Sequence, residues 1–162
     1  MIEEIEKYNP REEGNTIWIN IPSNKLHEIL KKLKEIGFEH LSMINITDWI
    51  DKDVFEIGYF LWSSKYKKNI VVKTEIDREN AKIKTSSDIW NESAAIHERE
   101  LHELFGVEFE KNNDLAPLFL EDWKEKPPFR KDFDWHEYVR KNYYDNNNER
   151  EKAYFDKNVT KN

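Results

Sequence analysis

The chain has no cysteine. That absence excludes disulfides, thiolate zinc sites, a cysteine nucleophile and any iron–sulfur cluster or nickel site held by its own thiolates. Glycine is scarce: four residues, at positions 14, 37, 58 and 106, cannot write a dinucleotide fingerprint or a nucleotide-binding loop. No serine stands in a nucleophile-elbow setting. Positive charge is also in deficit, since 33 acidic against 26 basic residues give a net −7, the sign that phosphate backbones repel. Nucleic acid is therefore not expected as a partner. The longest apolar run, Ile57-Gly58-Tyr59-Phe60-Leu61-Trp62, falls far short of the roughly 20 residues a membrane-spanning helix needs. The acidic start, Met1-Ile2-Glu3-Glu4-Ile5-Glu6, lacks the basic and then apolar order of a secretion signal, which predicts an intracellular protein.

What is present is aromatic. Six Trp, seven Tyr and nine Phe in 162 residues can form a substantial core, while 36% charged residues give that core a wet surface. Ile17-Trp18-Ile19-Asn20-Ile21, stopped by Pro22, reads as a first strand, and Ser23 as the cap of a following helix. Leu26, Ile29, Leu30, Leu33 and Ile36 then mark one helical face, with Gly37 placed for a left-handed end. Three strand-like runs follow, at 38–50, 54–62 and 70–77, and their short connectors predict antiparallel neighbours. A second helix is expected over 89–105, with Trp90, Ala94, His97, Leu101, Leu104 and Phe105 on one stripe and Gly106 ending it. The class is α+β: strand, helix, three antiparallel strands, helix.

The pattern predicts a core domain over 1–106 and an extended partner-docking tail over 107–162. Beyond Gly106 come Pro117, Pro127, Pro128 and scattered aromatics, and from Tyr143 the chain is dominated by Asp, Asn, Glu and Lys. Trp123, Phe129, Phe133 and Trp135 favour a partner for this third of the chain, because aromatics anchor interfaces.

The densest ionisable cluster is His97-Glu98-Arg99-Glu100-Leu101-His102-Glu103. Its two histidines are five apart, about 140° around a helix, whereas a shared zinc ion wants them at i and i+4. Glu98 and His102 do have that spacing and could hold a metal if further ligands arrived from elsewhere; otherwise they are a helix-surface pair. His97 reads as a packed imidazole. Glu98, Arg99 and Glu100 could make charge-assisted bonds across an interface if the helix is covered by partners. Glu121 and Asp122 are adjacent and diverge, so they read as loop residues, not as an acid–base pair. Lys65, Lys67 and Lys68 beside Tyr66 read as a solubilising tip between strands.

The stretch Glu98-Arg99-Glu100-Leu101-His102-Glu103-Leu104-Phe105-Gly106, then Asp114-Leu115, Glu121-Asp122-Trp123 and Pro128-Phe129-Arg130-Lys131-Asp132, resembles the 30-kilodalton subunit family of respiratory complex I. Four ordered matches over about 35 residues carry the likeness. The chain departs from the family pattern at Lys111-Asn112-Asn113, where Gly-His-Pro is usual, at Ala116-Pro117, where basic residues are, and at Phe129, which replaces Leu. His97 before the motif, with His102 and Glu103 inside it, looks more like the homologues in membrane-bound, energy-converting nickel–iron hydrogenases.

The resemblance implies a non-catalytic scaffold subunit of the cytoplasmic arm, held peripherally at the cell membrane by its partners. It would pack on the large subunit that holds the nickel–iron or quinone site, beside iron–sulfur subunits, with the membrane arm reached indirectly. Its complex would couple electron transfer to ion translocation. No cofactor is expected in this chain; iron–sulfur clusters and a nickel–iron centre would belong to partner subunits. The partner-binding residues it implies are Glu98, Arg99, Glu100, Phe105, Gly106, Asp114, Leu115, Trp123, Phe129, Arg130, Lys131 and Asp132. Three alternatives stand beside it: the equivalent subunit of an NADH or other donor:quinone oxidoreductase, a small metal-dependent enzyme using Glu98, His102 and His136, and a generic interaction module.

Overall fold

Period-two alternation of β-branched and aromatic residues builds a five-stranded mixed sheet. Its strands are β1 (Arg11–Glu13), β2 (Thr16–Asn20), β3 (His40–Trp49), β4 (Val54–Ser63) and β5 (Lys68–Asp77), in the order β1-β2-β5-β4-β3. The computed structural model describes residues 3–143 together with Ala153 and Lys157. The expected polar stretch beyond Tyr143 lies outside the described residues, those two apart.

β3, β4 and β5 are antiparallel neighbours, as their short connectors require, while β2 runs parallel to β5. A parallel pair needs a long crossover, and the first long helix begins it. On one face of the sheet lie Ile17 and Ile19 of β2, Ile70 and Val72 of β5, Phe55, Ile57, Tyr59 and Leu61 of β4, and Ile44 of β3, all buried. Two helices cover them: α2 (Ser23–Ile36) over β5, and α4 (Glu92–Phe105) over β3. The opposite face carries the cross-strand row Trp18, Val71, Phe60 and Met43.

Three local features depart from the sequence reading. Ser23 is the first residue of α2, not its cap; Pro22 stands at that position with φ −58°, the value its ring imposes, and the Lys25 N–H donates to its carbonyl at 2.9 Å. The helix expected over 89–105 is two, α3 (Ser87–Trp90) and α4, broken at Asn91, whose φ of 50° and ψ of −130° lie outside both the right-handed helical and the left-handed regions. Short pieces that carry no long periodicity also appear: α1 (Glu3–Glu6), β1, a 3₁₀ turn at Ile50–Lys52, and a two-stranded parallel pair of β6 (Lys82–Lys84) with β7 (Glu108–Glu110).

That parallel pair explains where the chain goes after α4. The sequence pattern puts a boundary at Gly106, but Val107 and Phe109 are fully buried, and the compact unit runs from Met1 to Arg130. The second unit, Lys131–Asn162, contains α5 (Trp135–Asn142), whose N-cap Asp134 accepts the Glu137 N–H at 2.9 Å.

Gly106 ends α4 at φ +79°, its N–H donating to the His102 carbonyl at 2.8 Å. A Cβ there would also meet Pro127 Cγ at 3.0 Å. Gly106→Ala is expected to cost about 2 kcal/mol, against about 1 kcal/mol for Gly14→Ala, which has a similar φ of +57° and open space around it. Urea unfolding of both variants checks this; equal costs would mean that the Pro127 contact yields freely.

Candidate partner interface and the motif that shapes it

α4 carries the charged motif, and its turns send the members in different directions. Ala94, Glu98, Leu101, Leu104 and Phe105 are buried. Glu98, with no exposed surface, is the polar member of that inward stripe. Its carboxylate accepts four hydrogen bonds: from Ser86 N–H at 2.6 Å and Ser86 Oγ at 2.7 Å on Oε1, and from Thr85 Oγ1 at 2.5 Å and Asn112 Nδ2 at 2.9 Å on Oε2. A buried carboxylate requires such saturation. It ties α4 to the turn before α3 and to the loop after β7. Tyr59, wholly buried close by, has its phenol pushed up by burial and then by the Glu98 charge, so it stays a neutral phenol.

One helical step away, Arg99 and Glu103 lie four residues apart on the same side of α4, and both grip the loop that follows β7. Arg99 donates to the carbonyls of Ala116 at 3.1 Å and Pro117 at 3.2 Å, with Asp114 at 3.5 Å. Glu103 accepts the three successive backbone N–H groups of Leu118, Phe119 and Leu120, its shortest bond being 2.6 Å to Leu120. A cation holds the carbonyls and an anion holds the amides, so the backbone polar groups of a strandless segment are satisfied by one helix face. Leu115 and Leu120 pack partly buried against the core beneath.

The end of the unit is fixed by aromatic and guanidinium contacts. Phe105 meets Phe55 edge-on at 5.9 Å and Phe129 at 5.8 Å, while the Phe129 N–H donates to the Leu104 carbonyl at 3.0 Å. Arg130 donates to the Arg78 carbonyl at 3.1 Å and to Glu79 at 2.7 Å, and its guanidinium lies 5.5 Å from the Phe55 ring centre. Arg78 in turn forms a buried bidentate pair with Asp48, at 2.7 and 3.1 Å. Trp123 donates from Nε1 to the Lys126 carbonyl at 3.1 Å.

The residues expected to bind partners therefore divide. Glu98 and Phe105 face the core, Gly106 is a helix end, and Arg99, Asp114, Leu115, Trp123 and Arg130 all make contacts within the chain. Phe129 is 59% exposed. Glu100 is half-buried, and its side chain makes no hydrogen bond or ion pair among the described residues. Lys131 and Asp132, both exposed, open the second unit. Of the residues weighed for a metal, Glu98 has both oxygens engaged and His102 Nδ1 lies 2.9 Å from the Val107 carbonyl. Among the described residues no group of three or more His, Asp or Glu side chains gathers around a common point. The sequence reading assigns no contact to Glu103, Thr85, Ser86 or Asn112. The spacing of Glu103 four after Arg99 was the available signal; the other three are brought to Glu98 by tertiary structure.

Replacing Glu103 with glutamine removes one acceptor and places an N–H₂ group against N–H donors. Amide hydrogen exchange at 118–120 is expected to quicken about tenfold, since each such bond contributes about 1 kcal/mol or more, with little change in the β4 and β5 amides. Unchanged exchange at these amides would remove the carboxylate from its assigned role.

The domain is thus a mixed sheet under two helices, with a charged helix gripping the proline-containing segment that follows. The chain belongs to the family described as "Respiratory-chain NADH dehydrogenase, 30 Kd subunit", whose model matches residues 19–139. It is 35% identical over 118 residues to the C/D-type subunit of the NADH-quinone oxidoreductase of Phocaeicola vulgatus, covering 72% of this chain and 22% of that protein. It thus spans about a fifth of that relative's length. Over 117 residues it is 29% identical to the C-type subunit of the F(420)H(2) dehydrogenase of Methanosarcina mazei, covering 70% and 73% of the two chains. Among solved structures it resembles a chain of the membrane-bound sulfane sulfur reductase, an archaeal respiratory membrane complex, with TM-score 0.79, 31% identity and 87% of both chains covered. No helix among the described residues is long and apolar enough to cross a membrane.

Proposed function

We propose that this chain is a non-catalytic scaffold subunit of the cytoplasmic arm of a complex I-related, membrane-bound oxidoreductase, docked on the large subunit that holds the nickel–iron or quinone site. The observation that carries the reading is the use made of the family motif. Glu98, Arg99, Glu103 and Arg130 hold the 112–130 segment in shape against the core, which is the work of a surface prepared for a partner. The Phocaeicola vulgatus relative is named for two subunits in one chain, which supports docking on a D-type large subunit. In this reading the chain holds no cofactor. Iron–sulfur clusters, and a nickel–iron centre in the hydrogenase branch, lie in the partner subunits, and the chain sits at the cytoplasmic face of the membrane through them.

The hydrogenase branch is the first assignment, on the placement of His97, His102 and Glu103 in the motif. The second reading, a donor:quinone oxidoreductase, is favoured by the relatives named NADH-quinone oxidoreductase. Affinity purification of the tagged chain from detergent-solubilised membranes of its own host, with identification of co-purifying chains and analysis for nickel and iron, tests both. Nickel with iron in a large assembly is the expected result. Iron without nickel, with a quinone-linked set of subunits, moves the assignment to the second branch. A bare chain without partners contradicts the scaffold reading.

A further inference from the structure

On the reading of the chain as a scaffold subunit, we propose that the turn 118–123 is a specific contact point for a partner subunit. In it Phe119 enters an apolar socket and Glu121 and Asp122 meet basic side chains at the socket's rim, while Arg99 and Glu103 are positioning residues for the turn. Leu118, Phe119 and Leu120 give all three N–H groups to Glu103, and the side chains divide around that attachment. Leu118 and Leu120 are half-buried, whereas Phe119 is 65% exposed. The aromatic ring is thus held in solvent by a polar clamp behind it. Arg99 fixes the two preceding carbonyls, and the Trp123 N–H closes the turn on the Leu120 carbonyl at 3.3 Å.

The tip's charge selects the occupant. Glu121 and Asp122 are exposed, with no ion pair or side-chain hydrogen bond among the described residues. Asp122 sits at φ +61°, a backbone state that few residues with a side chain adopt. A large exposed ring beside two carboxylates that make no ion pair among the described residues, on a pre-formed turn, complements an apolar pocket rimmed by Lys or Arg. A second copy of this chain, net −7, would bring like charges together, and an anionic lipid surface would repel the same tip. The occupant is therefore a basic, apolar-lined surface of another subunit.

The test uses the full tagged chain, expressed in its own host and purified in its complex from solubilised membranes. A photoreactive benzoyl-phenylalanine at position 119 is expected to cross-link to a peptide of one other subunit that contains Lys or Arg. The double variant Glu121→Lys with Asp122→Lys is expected to lower recovery of that subunit at least tenfold, and charge reversal of the cross-linked subunit's basic residues to restore it. Glu103→Gln is expected to leave folding intact and make recovery more salt-sensitive, alongside the faster exchange at 118–120. Full recovery with the doubly reversed variant, or a cross-link solely to a second copy of this chain or to lipid, overturns the contact while the scaffold reading stands. If the unsubstituted chain recovers no partner, both fall.

Discussion

Glu98→Ala is expected to lower the unfolding free energy by about 3–5 kcal/mol, the larger end of what a single substitution does in a folded domain. The carboxylate is wholly buried, and its removal leaves two hydroxyls, a backbone N–H and a side-chain amide facing an empty space of low polarity. Part of the loss is recovered if the two hydroxyls turn to each other; the Ser86 backbone N–H has no such freedom. Glu98→Gln should fall between, at about 1–3 kcal/mol, because one oxygen still accepts while the new N–H₂ opposes a donor. Urea unfolding with an unchanged m-value checks both figures. Wild-type stability for Glu98→Ala would mean that this carboxylate does not hold the two loops.

The second large effect belongs to the Asp48–Arg78 pair. Both side chains are nearly fully buried, and the guanidinium meets the carboxylate through two hydrogen bonds. Asp48→Ala is expected to cost about 3–5 kcal/mol, since it leaves a buried guanidinium without its bidentate carboxylate. Asp48→Leu together with Arg78→Met should cost much less than the Asp48→Ala change alone, because neither charge then has to be desolvated. A double-mutant cycle under urea gives the coupling directly. The position matters for the docking segment too: Arg130 hydrogen-bonds the Arg78 carbonyl, and both guanidinium groups lie against the Phe55 ring. Loosening Arg78 is therefore expected to quicken amide exchange at Phe129 and Arg130. A double variant as unstable as the single one would contradict this assignment of the cost.

Much of the fold is legible in the residues. The three antiparallel strands and the first long helix follow from periodicity, with Gly37 and Gly106 marking where helices stop. The parallel docking of β2 on β5 is not, because a strand's neighbour is chosen by packing of its whole face and not by its own pattern. β6 and β7 are three residues each, too short to show a period, and they gain order from each other across a gap of more than twenty residues in sequence.

The charged helix is the instructive case. The run Glu98-Arg99-Glu100 reads as a solvated or partner-facing stripe, because charge on a helix normally faces water. Phase along the helix decides otherwise: Glu98 lies on the same stripe as Ala94, Leu101 and Phe105, and a charge in that position must find donors inside. The donors themselves, on Thr85, Ser86 and Asn112, come from segments that carry no motif. Asn112 falls where the chain departs from the family pattern, and it is one of the four donors to Glu98. Arg99 and Glu103 could be paired by their spacing; that their common object is the chain's own backbone at 116–120 required the fold.

The motif, on this reading, works inside the chain and shapes a surface that partners cover. Hydrogen exchange compared between the isolated chain and the purified membrane complex tests it most directly. Amides of α4 and of the Thr85–Ser86 turn are expected to exchange equally slowly in both, while those over 114–132 slow markedly on assembly. Strong new protection along α4 with none over 114–132 would contradict it, and would place the charged motif itself at the interface.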